Sequence, residues 1–405
     1  MDRKALFEKW NKHPEHDYEI KDTLQYTDGE REQDISFVYS GRERGKSFDI
    51  VANLLADAWY DGKGFGYLRR NVETRYDIEE YFADKVDFIK DMTDGKADGV
   101  TVNEGSLYLY KDSVSEKGVS KREYIKFIGK PFAISRANKY KSHQYPDIYD
   151  MIYEEVLTTD AYLQAEPEKV LSIYSTINRP EGVKKSHLWL VSNLVSVVNP
   201  YSKAWGIYLS KNKAGDVRLT RLYLGSYDKD GKEKYLLVGA HYLKDKNELS
   251  KEDKKKNRNR VKTGIANNKW DELKLFPHLD LSFVKQYKIE DNVVFEYDDI
   301  MLQGSIILVP KNVMAVYRDG EKPMYDIPAL YIRRKTTEPY ETTRLYTNNP
   351  ERFSDYVTRG FYKVYKIDMI VEQLIARGWI FGADNLTMND FDNIYKKLRL
   401  MKCAY

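Results

Sequence analysis

Cysteine is almost absent from the sequence, which has one, Cys403, among 405 residues. A single thiol excludes a disulfide within the chain and a zinc site made of several cysteines. Long apolar runs are missing too, because none approaches the roughly 18 residues that a membrane-spanning helix requires. The N-terminal stretch MDRKALFEKW also lacks the apolar core of a signal peptide. We therefore expect a cytoplasmic protein with no membrane partner.

A large net charge is missing as well. The formal net charge of +3 by itself indicates neither nucleic acid nor a membrane as a partner. Hydrophobic residues make up 42% of the chain and charged residues 32%, which is typical of a globular protein and not of a disordered one. The length predicts two or three domains.

Strand and helix patterns alternate over about the first 200 residues. Residues 35–39 form a short apolar run that predicts a buried strand, and apolar residues then recur at helical spacing from 47 to 60. Further strands are predicted near residues 65–68, 148–153 and 187–192. This alternation predicts an α/β domain with a mostly parallel sheet.

A phosphate-binding loop is indicated by SGRERGKS, residues 40–47. The P-loop pattern is Gly, four residues and then Gly-Lys-Ser/Thr between a strand and a helix, and here Ser40 replaces the first glycine. Backbone N–H groups would bind the phosphates, Lys46 would bridge the β- and γ-phosphates, and Ser47 would ligate Mg²⁺. The competing interpretation is an ordinary turn in which Gly-Lys-Ser occurs by chance. The predicted nucleotide-binding residues are Ser40, Gly41, Arg42, Glu43, Arg44, Gly45, Lys46 and Ser47.

An acidic strand end follows in DIYDMIYEEV, residues 147–156. Its apolar residues predict a buried parallel strand, and Glu154 and Glu155 stand at the carboxyl end, where open α/β sheets bind ligands. Neighbouring residues on a strand point to opposite sides, so the two acids can have different roles. Glu154 is predicted to hold Mg²⁺ through water, and Glu155 to orient and polarise the attacking water. A solvated strand end is the alternative.

A polar pair ends another predicted strand in WLVSNLVS, where Ser192 and Asn193 follow apolar residues. In a nucleotide-binding sheet, this is the position of a residue that senses the γ-phosphate, so Asn193 is predicted to take part in catalysis. A turn-capping Ser-Asn pair is the alternative.

Four motifs, in this order, resemble the ATPase core of phage genome-packaging motors. They are SGRERGKS (40–47), YLRRN (67–71), ISRANKYKSHQYPDIYDMIYEEV (134–156) and LWLVSNLVSVVNPY (188–201). The nearest type is the phi-29-like DNA-packaging (encapsidation) ATPase, a relative of terminase large subunits. The resemblance covers about residues 30–205, and members of the family commonly have Asp where this chain has Glu154.

The resemblance implies the cofactors ATP and Mg²⁺ and a homo-oligomeric ring, usually a pentamer. Such a ring docks on the capsid portal, or connector, in the host cytoplasm and pulls double-stranded DNA inward. An arginine from one subunit completes the neighbouring site, and Arg179 in STINRPEG is the candidate, with a surface turn as its alternative. Arg42 and Arg44 are further candidates that would act within one subunit. Whether a scaffold RNA is a partner stays open.

The resemblance also implies an RNase H-like C-terminal domain. Two-metal nucleases need several carboxylates, whereas GSIILVPKN, VMAVYRDG and ALYIRRK carry basic or neutral groups, with Asp319 only at a turn. We expect a vestigial nuclease domain that binds nucleic acid or the portal. The predicted parts are an ASCE-type α/β P-loop ATPase domain (1–205), a linker with a basic arm (206–280) and the RNase H-like α+β domain (281–405).

Basic residues are concentrated in SKEDKKKNRNRVKT, residues 250–263, which has seven Lys or Arg against Glu252 and Asp253. Such a stretch would contact DNA phosphates without sequence preference and with strong salt dependence. A solvated loop is the alternative. The predicted nucleic-acid-binding residues are Lys254, Lys255, Lys256, Arg258 and Arg260.

Three other functions compete with a packaging ATPase. A GTPase is suggested by DKDG (228–231) and NKWD (268–271), although the first is predicted to be a hairpin turn and the second follows the basic arm. A structural DNA- or portal-binding protein with an inactive P-loop is disfavoured by Lys46, Ser47 and Glu155. A terminase with an active nuclease is the third alternative.

Overall fold

The computed structural model describes two compact units of the chain. The first comprises Met1–Asn193 and Pro200–Glu252, and the second comprises Leu194–Asn199 and Asp253–Tyr405. The described residues are 1–10, 26–41, 45–114, 120–158, 161–178, 186–228, 230–243, 287–310, 326–334, 344–348, 362–363, 369–377 and 379–400.

The first unit alternates strands and helices, as the sequence predicts. Its strands are β1 (Ile35–Ser40), β2 (Gly64–Arg69), β3 (Gly99–Asn103), β4 (Ser106–Val114), β5 (Ser120–Ala133), β6 (Ile148–Glu154), β7 (Leu188–Asn193), β8 (Val217–Tyr227) and β9 (Glu233–Tyr242). Its α-helices are α1 (Arg3–Trp10), α2 (Lys46–Asp61), α3 (Arg75–Tyr81), α4 (Val86–Met92), α5 (Ala137–Tyr140), α6 (Glu166–Ile177) and α7 (Pro200–Trp205). Short 3₁₀ turns lie at Ala83–Lys85, Ile134–Arg136 and Leu209–Lys211.

The strands of this unit form one nine-stranded sheet in the order β3-β4-β5-β2-β6-β7-β1-β9-β8. Strands β5, β2, β6, β7, β1 and β9 run parallel to one another, whereas β3, β4 and β8 are antiparallel additions. Parallel strands have their carboxyl ends at the same edge of a sheet. The ends of β1, β2, β6 and β7 therefore meet at one edge, which positions the candidate site.

Burial explains why this region folds as predicted. Every residue of β1 is buried, as expected for a central parallel strand. Helix α2 buries an apolar face, and it ends at Gly62 in a left-handed conformation that favours glycine. Strands β2 and β5 approach closely at Gly129, where a Cβ atom would lie 2.1 Å from the carbonyl oxygen of Phe65. The mostly parallel α/β fold predicted from the sequence is thus confirmed.

The predicted domain boundary at residue 205 needs a correction. Strands β8 and β9 lie in the segment assigned to the linker, yet β9 pairs in parallel with β1, and Ile35 lies opposite Val238. The predicted hairpin is present, because β8 and β9 are antiparallel neighbours. The first sheet therefore continues well beyond residue 205. The error arose because nothing local to a hairpin indicates the strand beside which it will pair.

The second unit contains a mixed sheet with helices. Its described elements are β10 (Ile289–Tyr297), β11 (Ile300–Val309), β12 (Ile327–Arg334), β13 (Arg344–Thr347), β14 (Tyr362–Lys363), α8 (Met369–Ala376), β15 (Ile380–Gly382) and α9 (Asn385–Leu400). The strand order is β14-β13-β10-β11-β12-β15, with antiparallel pairs in the centre and parallel pairs outside. This is the RNase H-like α+β fold expected for the C-terminal domain. None of the helices in the described ranges combines the length and hydropathy needed to cross a membrane.

Candidate nucleotide-binding site

The candidate site lies at the edge where β1, β7, β6 and β2 end. Ser40 lies opposite Asn193, and Glu154 lies opposite Val191 one strand further along. Strand β7 thus separates the loop strand β1 from the acidic strand β6. This order brings three separate predictions, the P-loop, the acidic pair and the polar strand end, to one place.

Gly45, directly before α2, has a backbone conformation that suits an anion-binding loop. Gly45 has a φ of 71°, in the left-handed region that glycine adopts without a steric penalty. Helix α2 starts directly afterwards at Lys46 and runs for 16 residues. Its first turn leaves backbone N–H groups without partners inside the helix, and these carry the positive end of the helix dipole. A phosphate group fits such a helix start.

The Lys46 side chain links the loop to the neighbouring polar strand end. Its ammonium donates to the Asn193 side-chain oxygen at 2.9 Å and to the Gly41 carbonyl at 3.3 Å. Lys46 is only 4% exposed. The structure therefore brings the P-loop lysine together with the residue predicted to sense the γ-phosphate.

Glu154 is a buried carboxylate beside the start of α2. Burial raises the pKa of Glu154, whereas the charge of Lys85 and the hydroxyl of Tyr81 oppose this shift. The charge of Lys46 and the hydroxyl of Ser47 act in the same opposing direction. Among the residues that the structure describes, none hydrogen-bonds to the Glu154 Oε1 atom, although that atom is buried. A hard oxygen ligand left open beside a hydroxyl fits Mg²⁺.

Glu155 has a different environment from Glu154. Its backbone is left-handed, with a φ of 57°, and its side chain is 70% exposed. Arg69, at the end of β2, donates to Glu155 Oε2 at 3.0 Å and to Glu73 at 2.6 Å. The two neighbouring acids thus differ in burial and partners, because β6 ends between them.

Sequence reasoning missed the arginines that hold this region. The motif YLRRN was used only for the resemblance, with no role for its arginines. Arg70 donates to the Glu155 carbonyl at 2.7 Å and forms a buried ion pair with Glu166 at 3.0 Å. Two adjacent arginines at a strand end were the available signal. Their partners could not be read from the sequence because Glu166 lies 96 residues away.

Several predicted site residues lie outside the described residues, and their roles stay predictions. In the loop these are Arg42, Glu43 and Arg44, and the candidate arginine from a neighbouring subunit is Arg179. The others belong to the basic arm: Lys254, Lys255, Lys256, Arg258 and Arg260. The described residues also exclude Asp319, NKWD (268–271) and the rest of the basic arm.

The GTPase alternative fails on the position of DKDG. Asp228 and Gly231 form the turn between β8 and β9, with the Gly231 N–H donating to the Asp228 carbonyl at 3.2 Å. Because β9 runs parallel to β1, its first residues lie beyond the N-terminal end of β1. Asp228 is therefore at the sheet edge opposite Lys46 and cannot reach the same phosphate.

Within the described ranges, no three His, Cys, Asp or Glu side chains form a group that could hold a metal ion. The absence of such a group within the described ranges does not conflict with a nucleotide-bound Mg²⁺. Such an ion takes only one or two protein oxygens, with phosphates and water completing its shell. Ser47 and Glu154 are the side chains predicted for this role.

A glycine-lysine turn between a buried strand and a helix, with an acidic strand end at the same sheet edge, is the arrangement typical of P-loop NTPases. No family model and no curated protein matches this sequence. The chain is similar in structure to the bacteriophage phi-29 viral genome packaging motor assembly, with a TM-score of 0.45 and 18% identity over 94% of this chain and 99% of that chain.

Two further solved structures are similar. One is the N-terminal domain of the DNA packaging ATPase from bacteriophage phi-29, with a TM-score of 0.40 and 21% identity over 58% of this chain and 99% of that chain. The other is a Thermus phage large terminase ATPase domain, with a TM-score of 0.31 and 11% identity over 62% of this chain and 92% of that chain. These are the kinds of protein that the sequence motifs resemble. At these scores and identities, the likeness by itself assigns no activity.

Proposed function

We propose that the protein hydrolyses ATP and uses the energy to move double-stranded viral DNA into a preformed capsid. One observation carries the nucleotide part of this proposal. The buried Lys46 follows the left-handed Gly45 and lies 2.9 Å from Asn193, at the sheet edge that also holds Glu154. The DNA-packaging part is supported by the resemblance of the four sequence motifs.

In this proposal the α2 start receives the phosphates of ATP. The backbone N–H groups of the loop and first helical turn bind phosphate oxygens, and Lys46 exchanges the neutral Asn193 and Gly41 acceptors for charged ones. Ser47 and Glu154 would hold Mg²⁺, Glu154 through water, and the ion would supply positive charge beside the phosphates. The low exposure of Lys46 and Glu154 strengthens these charge interactions, because little water screens them.

Glu155 is proposed to orient the water that attacks the γ-phosphate. Its exposed carboxylate can accept a proton from a water molecule, and the other proposed residues position the phosphate that this water attacks. Asn193, which Lys46 releases when the phosphates bind, is proposed to report the presence of the γ-phosphate. Arg179 is proposed to stabilise the transferring phosphoryl group of a neighbouring subunit in the ring. Changing Arg179 to Ala should abolish turnover and spare nucleotide binding.

The proposed macromolecular partners are double-stranded DNA and the capsid portal, and the proposed assembly is a homo-oligomeric ring, with five subunits as its usual size. The basic arm, including Lys254, Lys255, Lys256 and Arg258, would contact DNA phosphates. Neutralising these four residues should flatten the dependence of DNA affinity on salt concentration, because fewer counterions are released on binding. An unchanged salt slope would remove the arm from the DNA contact.

The decisive experiment measures ATP hydrolysis with and without double-stranded DNA for the wild type and Lys46→Ala. We expect DNA-stimulated hydrolysis in the wild type and none above background in Lys46→Ala. Lys63→Ala is the matched control, because Lys63 is exposed just beyond α2 and should leave the rate unchanged. Equal rates for Lys46→Ala and the wild type would overturn the proposal, and so would GTP hydrolysis in preference to ATP.

A further inference from the structure

We propose that Arg70 is a positioning residue that holds the main chain of Glu155 in the conformation needed for hydrolysis. This inference rests on the proposed ATPase function and adds a residue that the sequence did not assign. Arg70 directly follows β2, and its side chain is 16% exposed. It reaches across to the segment that follows the neighbouring strand β6.

The Arg70 guanidinium contacts two consecutive carbonyls directly after β6. One nitrogen donates to the Glu155 carbonyl at 2.7 Å, and another donates to the Val156 carbonyl. Glu155 has a left-handed backbone, which costs energy for a residue with a Cβ atom and persists only where neighbours hold it. Arg70 supplies such a hold at the residue whose side chain is proposed to orient water.

A buried carboxylate keeps the guanidinium in place. Glu166, at the start of α6, is fully buried, and its two oxygens accept from Arg70 at 3.0 and 3.1 Å. Its Oε1 atom also accepts from the hydroxyls of Tyr153 at 2.8 Å and Tyr201 at 2.9 Å. A paired and hydrogen-bonded charge of this kind has one favourable geometry, because any displacement leaves buried polar groups without partners.

The same cluster also contacts described residues shortly before α6. Glu166 Oε2 accepts from the Leu163 backbone N–H at 3.0 Å, and the Arg70 guanidinium lies 5.0 Å from the centre of the Tyr162 ring. On the other side, the Leu157 N–H donates to Ser192 Oγ at 3.0 Å. Val156 is therefore held by Arg70 and Leu157 by the end of β7.

The two adjacent arginines have separate functions. Arg69 contacts the side chain of Glu155, whereas Arg70 contacts its main chain. Consecutive residues at a strand end point in different directions, so one strand can supply both contacts. Arg70 can therefore fix the main chain of Glu155 while Arg69 contacts its carboxylate.

The test compares Arg70→Met, Arg70→Lys and Glu166→Gln with the wild type. We expect kcat for ATP to fall about 100-fold or more in Arg70→Met, because a displacement of about 1 Å at a catalytic group has an effect of this size. KM and the affinity for a fluorescent ATP analogue should change less than about threefold. Arg70→Lys should stay impaired, since an ammonium lacks the fork that reaches two carbonyls and a carboxylate.

Arg75→Met is the matched control, because Arg75 is a half-exposed arginine paired with Glu79 and should keep wild-type kcat. The double variant Arg70→Met with Glu155→Gln distinguishes positioning from general stabilisation. If Arg70 acts through Glu155, the double variant hydrolyses ATP as slowly as Glu155→Gln alone. A rate lowered by the product of both single effects would overturn the inference.

The remaining outcomes are also informative. Wild-type kcat in Arg70→Met would overturn the inference while leaving the ATPase proposal intact. If Arg70→Met does not fold, Glu166→Gln takes its place, because it keeps the shape and removes only the counter-charge. Wild-type kcat in Glu166→Gln would then overturn the inference. Absence of ATP hydrolysis in the wild type would overturn both proposals together.

Discussion

The end of β6 in the first sheet and the centre of the second sheet give buried polar residues different environments. At the edge of the first sheet, Glu154 keeps a buried carboxylate oxygen that no described residue bonds. In the second sheet, polar side chains pair across strands: Asn292 accepts from Ser305 at 2.8 Å, and Gln303 accepts from Arg333 at 2.7 Å. An unsatisfied buried oxygen is expensive, whereas a paired one is not.

The open oxygen at the edge of the first sheet suits a ligand site, whereas the paired groups of the second unit form an internal hydrogen-bond network. The first sheet keeps its open polar group at the parallel strand ends, where a ligand can supply the missing bonds. In the second unit, Asp390 is fully buried and already accepts from Ser196 at 2.6 Å and from the Val197 N–H at 2.8 Å, and it forms an ion pair with Arg334. We therefore expect substitutions in the first sheet edge to change activity and those in the second unit to change stability.

The largest expected effect belongs to Glu155→Gln in the first unit. Removing the group proposed to orient water should lower kcat by about 10² to 10⁴-fold, while the affinity for ATP stays close to the wild-type value. Steady-state hydrolysis and equilibrium binding measure the two quantities. Glu168→Gln, an exposed acid in the first turn of α6, is the control and should be neutral. A loss of ATP affinity equal to the loss of rate would contradict the assignment.

Asp390→Ala should have the largest effect on stability in the second unit. It leaves the positive charge of Arg334 and two donors without their shared acceptor, which costs about 3–5 kcal/mol. Denaturant unfolding measures the change, and ATP affinity should be unaltered because the nucleotide-binding residues belong to the first unit. The control is Asp392→Ala, whose partner Lys396 is 58% exposed, with an expected cost below about 1 kcal/mol. An unchanged unfolding curve for Asp390→Ala would contradict this role.

A smaller, pH-dependent effect is expected at His241 in β9. Burial lowers the pKa of His241 from 6.5 to about 4, and its Nε2 atom lies 2.7 Å from the Gln33 side-chain oxygen. The folded state therefore disfavours protonation. The stabilisation is complete above pH 6.5 and is lost as the pH falls through about 4, a change of up to about 3 kcal/mol.

The comparison with His241→Gln measures this contribution. The slope of the unfolding free energy against pH between about 6.5 and 4 should be shallower in His241→Gln than in the wild type. The exposed His143 supplies the control variant His143→Gln, whose profile should follow the wild type. Parallel profiles for all three proteins would show that His241 does not titrate on unfolding.

The smallest effect is expected for Ser305→Ala in the second sheet. It removes one hydrogen bond to Asn292, which still accepts from Gln303 at 3.2 Å, so the cost should be about 1 kcal/mol. Chemical unfolding of the second unit is the measurement. A cost as large as that of Asp390→Ala would mean that the cross-strand pairs act as one network and not as separate bonds.

Local patterns were enough to predict the buried strand and helix on either side of the glycine-lysine turn, the acidic strand end and the alternation of strands and helices. Gly45 and Lys46 are recognisable because a left-handed turn and a helix start depend on neighbouring residues alone. Alternation along a strand predicted different environments for Glu154 and Glu155, whereas in the structure the difference arises because β6 ends at Glu154. The linker assignment failed because the pairing of β9 with β1 joins segments about 200 residues apart.

The amino-acid order alone specified which residues could bind phosphate and metal, because those functions require particular side chains at short spacings. Folding decided which of them meet. Only the order of the strands places Asn193 against Lys46, Arg70 against Glu155 and Glu166, and Asp228 at the far edge. The physical reason is that burial and charge pairing between distant segments depend on the whole sheet, and no short window of sequence contains that information.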